Sequence, residues 1–218
     1  MTGGACGGKT TTIEAVKKDL GDRVIVVPEV ASQLIRPLEK GGVGIPGVDI
    51  EWSQAWQDEL QQQILVKQIN DENISISEAE MFEEPSIVLC DRGVLDGAVY
   101  MAGGLEKFLE KFHLEYSACI SRYDAIIHLN SLAVDDPEKF IEFFKSNSAR
   151  HRQVDKAALL DKAIFEVWKG HQNHLRVAST EEMEEKIELV LSEIRKELER
   201  VDAELGAEIG SEGKLGVI

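Results

Sequence analysis

Basic residues are scarce in this chain: 24 lysines and arginines stand against 40 aspartates and glutamates, a formal net charge of −16. A surface of that sign repels phosphate backbones, so nucleic acid is not an expected partner, and neither is an anionic membrane surface. One bound nucleotide is still compatible with it, because a local cradle and a divalent cation offset the charge. Cysteine is rarer still. Cys6, Cys90 and Cys119 are widely spaced and odd in number, which leaves no disulfide framework and no zinc-ligand pattern. No apolar run approaches the roughly 20 residues of a membrane-spanning helix. The N-terminus also lacks the basic-then-apolar order of a secretion signal. The expectation is a cytoplasmic protein with no membrane span. With 43% hydrophobic residues in 218, one globular domain can bury a sizeable core.

Glycine is concentrated at the start. Gly3-Gly4-Ala5-Cys6-Gly7-Gly8-Lys9-Thr10-Thr11 satisfies G-x-x-x-x-G-K-[ST], the pattern of a phosphate-binding P-loop. Its glycines let the backbone turn tightly and aim several N–H groups at one anion. The helix that follows adds partial positive charge at its N-terminus. Lys9 brings a mobile full charge to the β- and γ-phosphates, and the Thr10 hydroxyl is a candidate Mg²⁺ ligand. Cys6 reads as a small tolerated residue within the loop. A P-loop normally follows a buried strand, and only Met1 and Thr2 precede this one. The expected fold therefore has a truncated first strand.

Beyond the loop the pattern alternates between helix and strand. Lys9–Leu20 has helical spacing at Ile13, Val16 and Leu20, with Gly21 as its stop. Arg23–Val27, Ile87–Cys90, Ala125–Leu129 and His174–Val177 read as strands, the first two as apolar runs buried on both faces. Helices are expected over Val30–Lys40, over Ile50–Asn73 behind an Asp49 cap, over Val94–Ala102, over Leu105–Phe112, and from about Arg150 to near Gly170. Gly41–Val48 is a glycine-rich loop. A last helix opens at the capping box Ser179-x-x-Glu182 and carries an apolar stripe at Ile187, Leu191, Ile194, Leu198, Val201 and Leu205. That stripe packs either on its own sheet or as the seam of a homodimer. Residues 206–218 are expected to be a flexible tail.

Alternating strands and helices indicate a three-layer α/β domain over 1–205, built on a parallel sheet of five strands once the first is counted. Ligands of such sheets bind beyond the C-terminal strand ends. That rule selects the P-loop, Glu29, Asp91-Arg92, Asn130 and Ala178-Ser179-Thr180. Asp91 stands where P-loop proteins place the acid that positions Mg²⁺, and a helix cap is its structural alternative. Arg92 suits a phosphate clamp, with a surface salt bridge as its structural alternative. Glu29 is a candidate base for an acceptor hydroxyl or, equally, a carboxylate favoured at a helix start. Arg150 and Arg152 suit a lid around 146–170 that closes on the γ-phosphate. Asp96 and Tyr100 lie one turn apart and are placed to line an acceptor site or merely to pack.

Four stretches in order, G-G-A-C-G-G-K-T-T, V-V-P-E-V-A, L-C-D-R-G-V-L-D-G-A-V-Y and Y-D-A-I-I-H-L, resemble the AAA-type P-loop domain family typified by the ribosylnicotinamide-kinase domain of NadR. More distantly the chain is similar to deoxynucleoside and nucleotide kinases. The resemblance implies a P-loop NTPase with sheet order 2-3-1-4-5 that binds ATP with Mg²⁺. It gives Lys9 and Thr10 the phosphate and metal roles, Glu29 the base, Asp91 and Arg92 the metal and phosphate roles, and Arg150 and Arg152 the lid. Phosphoryl transfer to a small hydroxyl-bearing, nucleoside-like acceptor is the leading expectation. The alternative is a nucleotide-dependent ATPase or switch with a protein or lipid partner. No N-K-x-D guanine-reading motif follows a later strand.

Overall fold

A computed structural model describes residues 1–82, 84–143, 150–179, 182–208 and 216–217. Four short parallel strands carry the fold: β1 (Val24–Val27), β2 (Ile87–Cys90), β3 (Ile126–Leu129) and β4 (His174–Val177). β1 pairs with β2 and β3 with β4, all in parallel register. A further strand, β5 (Gly216–Val217), pairs with the start of β2 at Ile87 and Val88. The strands therefore form two sheets, β1-β2-β5 and β3-β4, instead of one five-stranded sheet. Met1 and Thr2 stand between them. Thr2 bridges to His128 in β3, donating to the Ile127 carbonyl at 2.8 Å and accepting from Leu129 at 2.9 Å. Met1 bonds to the β2 side, its nitrogen to the Cys90 carbonyl and its carbonyl to the Arg92 amide. These two residues thus hold the P-loop in the crevice between β2 and β3.

Nine α-helices flank the strands among the described residues: α1 (Lys9–Leu20), α2 (Val30–Leu34), α3 (Gln54–Ala79), α4 (Gly104–Phe112), α5 (Tyr116–Ile120), α6 (Leu132–Asp135), α7 (Pro137–Phe143), α8 (Arg150–Trp168) and α9 (Met183–Glu208). Alternation along the strands divides the core in two. Val88 and Cys90 of β2 face a cluster with Leu65, Phe108, Ile164 and Trp168. Ile87 and Leu89 face another with Val16 of α1 and Val190, Ile194 and Leu198 of α9. β2 is buried along its whole length, and each such aliphatic side chain contributes about 1.5–3 kcal/mol by leaving water. The C-terminal apolar stripe, named above as a possible dimer seam, lies largely in this second cluster: Ile194 is fully buried. No helix among the described residues is long and apolar enough to cross a membrane.

Several boundaries depart from the sequence reading, each for a local reason. The expected helix Val30–Lys40 stops at Leu34, because Pro37 disfavours helical geometry at the residue before it. Asp49 caps no helix; its carboxylate accepts from the amides of Leu38 and Ile45 and closes the loop. Ser53 caps α3 instead, its hydroxyl accepting from Trp56 N. α3 then runs on to Ala79, since no breaker interrupts it. The stretch expected as helix Val94–Ala102 is a 3₁₀ turn over Asp96–Tyr100. In the region expected as a tail, α9 continues to Glu208 and Gly216–Val217 form β5.

Candidate active site

The P-loop is shaped by backbone conformations that glycine tolerates. Gly3 (φ 126) lies so close to β3 that an added Cβ would sit 2.0 Å from the Leu129 carbonyl oxygen. Gly8 (φ 86) turns the chain into α1. Cys6 is also left-handed at φ 56, a turn position, and its half-buried side chain packs against the cluster of Leu132, Ala133, Phe140 and Val154. Lys9 folds back over the loop, its Nζ donating to the Gly3 and Gly4 carbonyls at 3.0 Å each. Burial, then the neighbouring Arg92 charge, lower its pKa to about 8 against the opposing pull of Asp91, Asp96 and Glu29. Thr10 is exposed on the first turn of α1.

Asp91 follows β2 directly, its amide bonded to the Val27 carbonyl at 2.8 Å. It caps no helix: the next turn starts at Asp96, and Asp91 Oδ1 is buried without a hydrogen-bond partner. Burial raises its pKa, with Glu29 adding to this and Lys9 opposing it. A buried carboxylate oxygen with nothing to accept from requires an explanation. Beside an anion cradle it fits a hydrated divalent cation, which answers both the orphaned oxygen and the raised pKa. Among the described residues no group of three or more His, Cys, Asp or Glu side chains forms a cation cage, so bound phosphates would have to share in holding the ion.

Arg92 has φ 90, a strained conformation for a residue with a side chain. Its backbone is held on both sides, the amide by the Met1 carbonyl at 2.9 Å and the carbonyl by Gln68 Nε2 at 3.1 Å. The guanidinium reaches the Gly3 carbonyl at 2.6 Å, Asp96 Oδ2 at 3.3 Å and Glu29 Oε1 at 3.3 Å. It thus joins the P-loop to Glu29. Glu29 flanks α2, but its side chain makes no cap. Its other oxygen accepts from Ser32 Oγ. Burial would raise the Glu29 pKa, but the Ser32 hydroxyl and Arg92 outweigh it and hold it below the usual carboxylate range.

Glu29 and Arg92 stand in the wall of a cavity of about 350 Å³. Trp52, Trp56, Leu60 and Phe108 give it apolar walls, and Gln61, Asp96 and Tyr100 give it polar edges. Trp56 ties the glycine-rich loop to α3 through an indole N–H bond to the Val43 carbonyl at 3.1 Å. Gln61 is 4% exposed, and its Oε1 has no partner in the protein. Asp96 is fully engaged, accepting from Thr2 Oγ1 at 2.6 Å and Trp168 Nε1 at 2.6 Å as well as from Arg92.

Lys9, Glu29, Asp91 and Arg92, all named from the sequence, therefore form one electrostatic group. The helical backbone of Arg150 and Arg152 opens α8, but their side chains lie outside the described residues, as do residues 144–149 and Thr180. Sequence reasoning missed Gln61, Gln68, Trp168 and the aromatic walls as site residues. The one available signal was polar residues on helical spacing at Gln61, Gln68 and Glu72, and it reads as an ordinary solvated face.

No curated protein matches the chain. Among solved structures it is similar to deoxyadenosine kinase from M. mycoides with bound dATP, at 14% identity and a TM-score of 0.47, over 89% of this chain and 97% of that one. A model of the AAA domain family matches residues 1–186. That is most of the chain and includes the P-loop, Glu29, Asp91 and Arg92: the protein belongs to the AAA domain family.

Proposed function

We propose that this protein transfers the γ-phosphoryl group of ATP to a hydroxyl group of a small, nucleoside-like acceptor. The observation that carries the reading is the cavity beside the P-loop. A nucleotide switch needs only the P-loop, whereas here a pocket of about 350 Å³ opens beside it, with a carboxylate and a guanidinium in its wall. Its aromatic and aliphatic walls suit a planar ring, and the Gln61 amide suits that ring's polar edge.

In this reading the P-loop amides and Lys9 hold the donor phosphates. Glu29 is ionised at neutral pH and takes the proton of the acceptor hydroxyl as its oxygen bonds to the γ-phosphorus; ADP departs with the electron pair of the broken bond. Arg92 offsets charge between the two halves and keeps Glu29 aimed into the pocket. Thr10 and Asp91 would hold Mg²⁺, which supplies charge neutralisation on the phosphate oxygens. Arg150 and Arg152 are proposed to approach the γ-phosphate from the start of α8. Most of the rate gain is positioning and electrostatics.

The test is ADP release from ATP against a panel of nucleosides and other small alcohols, with phosphorylated product identified by mass. An acceptor that accelerates ADP release, and loses that effect in Glu29→Gln, supports the proposal. If none does and Glu29→Gln is silent, the protein is a nucleotide-dependent switch instead.

A further inference from the structure

The P-loop has a back as well as a mouth, and its back is braced by buried side chains from elements far away in sequence. Asp161 of α8 accepts through Oδ1 from the Gly4 amide at 2.7 Å and the Ser131 amide at 3.1 Å. Ser131 Oγ donates to the Ala5 carbonyl at 2.5 Å. Lys186 of α9 donates through Nζ to the Gly7 carbonyl at 2.9 Å and to Ser179 Oγ at 3.2 Å. Asp161 is 0% exposed and Lys186 3%. Two charged side chains withdrawn from water at one loop are costly to bury, and apolar packing would serve plain stability better.

The fit at these braces is tight. A Cβ on Gly4 would lie 2.8 Å from Asp161 Oδ1, and one on Gly8 would lie 2.8 Å from Met183 Cε on the first turn of α9. His128 Nε2 stands 3.3 Å from the same Asp161 oxygen. Two helical turns beyond Asp161, the Trp168 bond to Asp96 fixes α8 against the acceptor pocket.

We infer that Asp161 and Lys186 are positioning residues for the donor phosphates, holding the P-loop backbone in its phosphate-binding shape. The inference rests on the P-loop being a nucleotide cradle. The two residues act with opposite electrostatic sign. The Lys186 charge attracts phosphate; the Asp161 charge repels it. The contribution of Asp161 is therefore geometric, and an uncharged side chain of the same shape does as well.

The experiment is calorimetric titration of the full chain with ATP and Mg²⁺, together with thermal melting of each variant. Asp161→Ala leaves the Gly4 amide without its acceptor and weakens ATP binding about tenfold or more. Asp161→Asn keeps an oxygen in place and stays within about threefold of the parent, or binds tighter. Lys186→Met weakens binding about tenfold, and Lys186→Gln, which keeps a donor but loses the charge, falls between. Equal losses in Asp161→Asn and Asp161→Ala overturn the inference. So do parental affinities throughout, or losses that merely follow the melting temperatures. If Asp161→Ala does not fold, Asp161→Asn and the two Lys186 variants decide by the same order. A parent chain that binds no ATP overturns the P-loop reading and this inference together; a binding parent with the wrong variant order overturns this one alone.

Discussion

The two halves of the proposed site, one for the phosphate donor and one for the acceptor, are made of different material. The donor half is backbone: amides and carbonyls of Gly3 to Gly8, shaped by left-handed residues and held from behind by Asp161, Ser131 and Lys186. The acceptor half is side chain: Trp52, Trp56, Leu60 and Gln61 of α3 and the residue before its cap, Phe108 of α4, and Asp96 and Tyr100 from the 3₁₀ turn. A phosphate is recognised by a conformation, which few sequences can adopt. An acceptor is recognised by surface, which many sequences can line. Arg92 is the seam, bonded to the P-loop on one side and to Glu29 and Asp96 on the other.

The separation of the halves can be broken most severely at Glu29. Glu29→Gln is expected to lower turnover about 10²–10⁴-fold, the usual share of a positioned base, with ATP affinity unchanged. Steady-state kinetics beside calorimetry measure both, and a parallel fall in ATP affinity would show that the halves are not independent. Lys9→Ala is the converse. Turnover is expected to fall about 10²–10³-fold together with ATP affinity, while acceptor binding is retained.

A smaller effect is expected at Gln61→Leu, which keeps the volume and removes the amide. Acceptor kcat/KM falls about 10–10²-fold and the ATP KM stays put. Because Gln61 Oε1 has no protein partner, thermal stability holds or rises. A loss of stability would mean that the amide serves the fold and not the ligand.

The gentlest probe is pH. Bound phosphate favours the charged form of Lys9, and in the free protein this group titrates near pH 8. ATP affinity is therefore full below that pH and declines above it, by at most about tenfold per pH unit. Folding stability responds in the opposite sense. The unfolded chain holds this proton up to about 10.5, so between about 8 and 10.5 the unfolded state binds more protons, and the Lys9 contribution to stability rises with pH. Titrations and melts of Lys9→Met, which has no such group, should lose both trends.

Legibility in the sequence follows the same division. The P-loop could be read from spacing because its glycines answer to backbone demands. β2 could be read because I-V-L-C is buried on both faces, and Asp91-Arg92 because they stand at its end. The pocket could not. α3 turns Gln61, Gln68 and Glu72 inward while Val66 and Ile74 lie exposed, so its hydrophobic pattern contradicts its orientation. Glu72 is buried with Arg122 and Tyr123 bonded to it from the segment ahead of β3, contacts with no trace in local spacing. Asp161 and Lys186 were hidden for the same reason: a charge on a helix reads as solvated until the neighbour that buries it is known. The break into two sheets was legible in part: the sequence reading expects a truncated first strand, and Met1 and Thr2 stand in its place between β2 and β3 without forming a full strand.

The placement of the three tryptophans gives the molecule a native optical reporter. Trp168 is 1% exposed, bonded to Asp96 and packed edge-on against Tyr123, so its emission is expected to be blue and steady. Trp52 is 55% exposed, Trp56 is half-buried, and both line the cavity proposed for the acceptor. A ring that enters there displaces water from two indoles and leaves the third untouched. Occupancy of the acceptor half becomes a change in the red edge of the intrinsic fluorescence, readable without a label and without turnover.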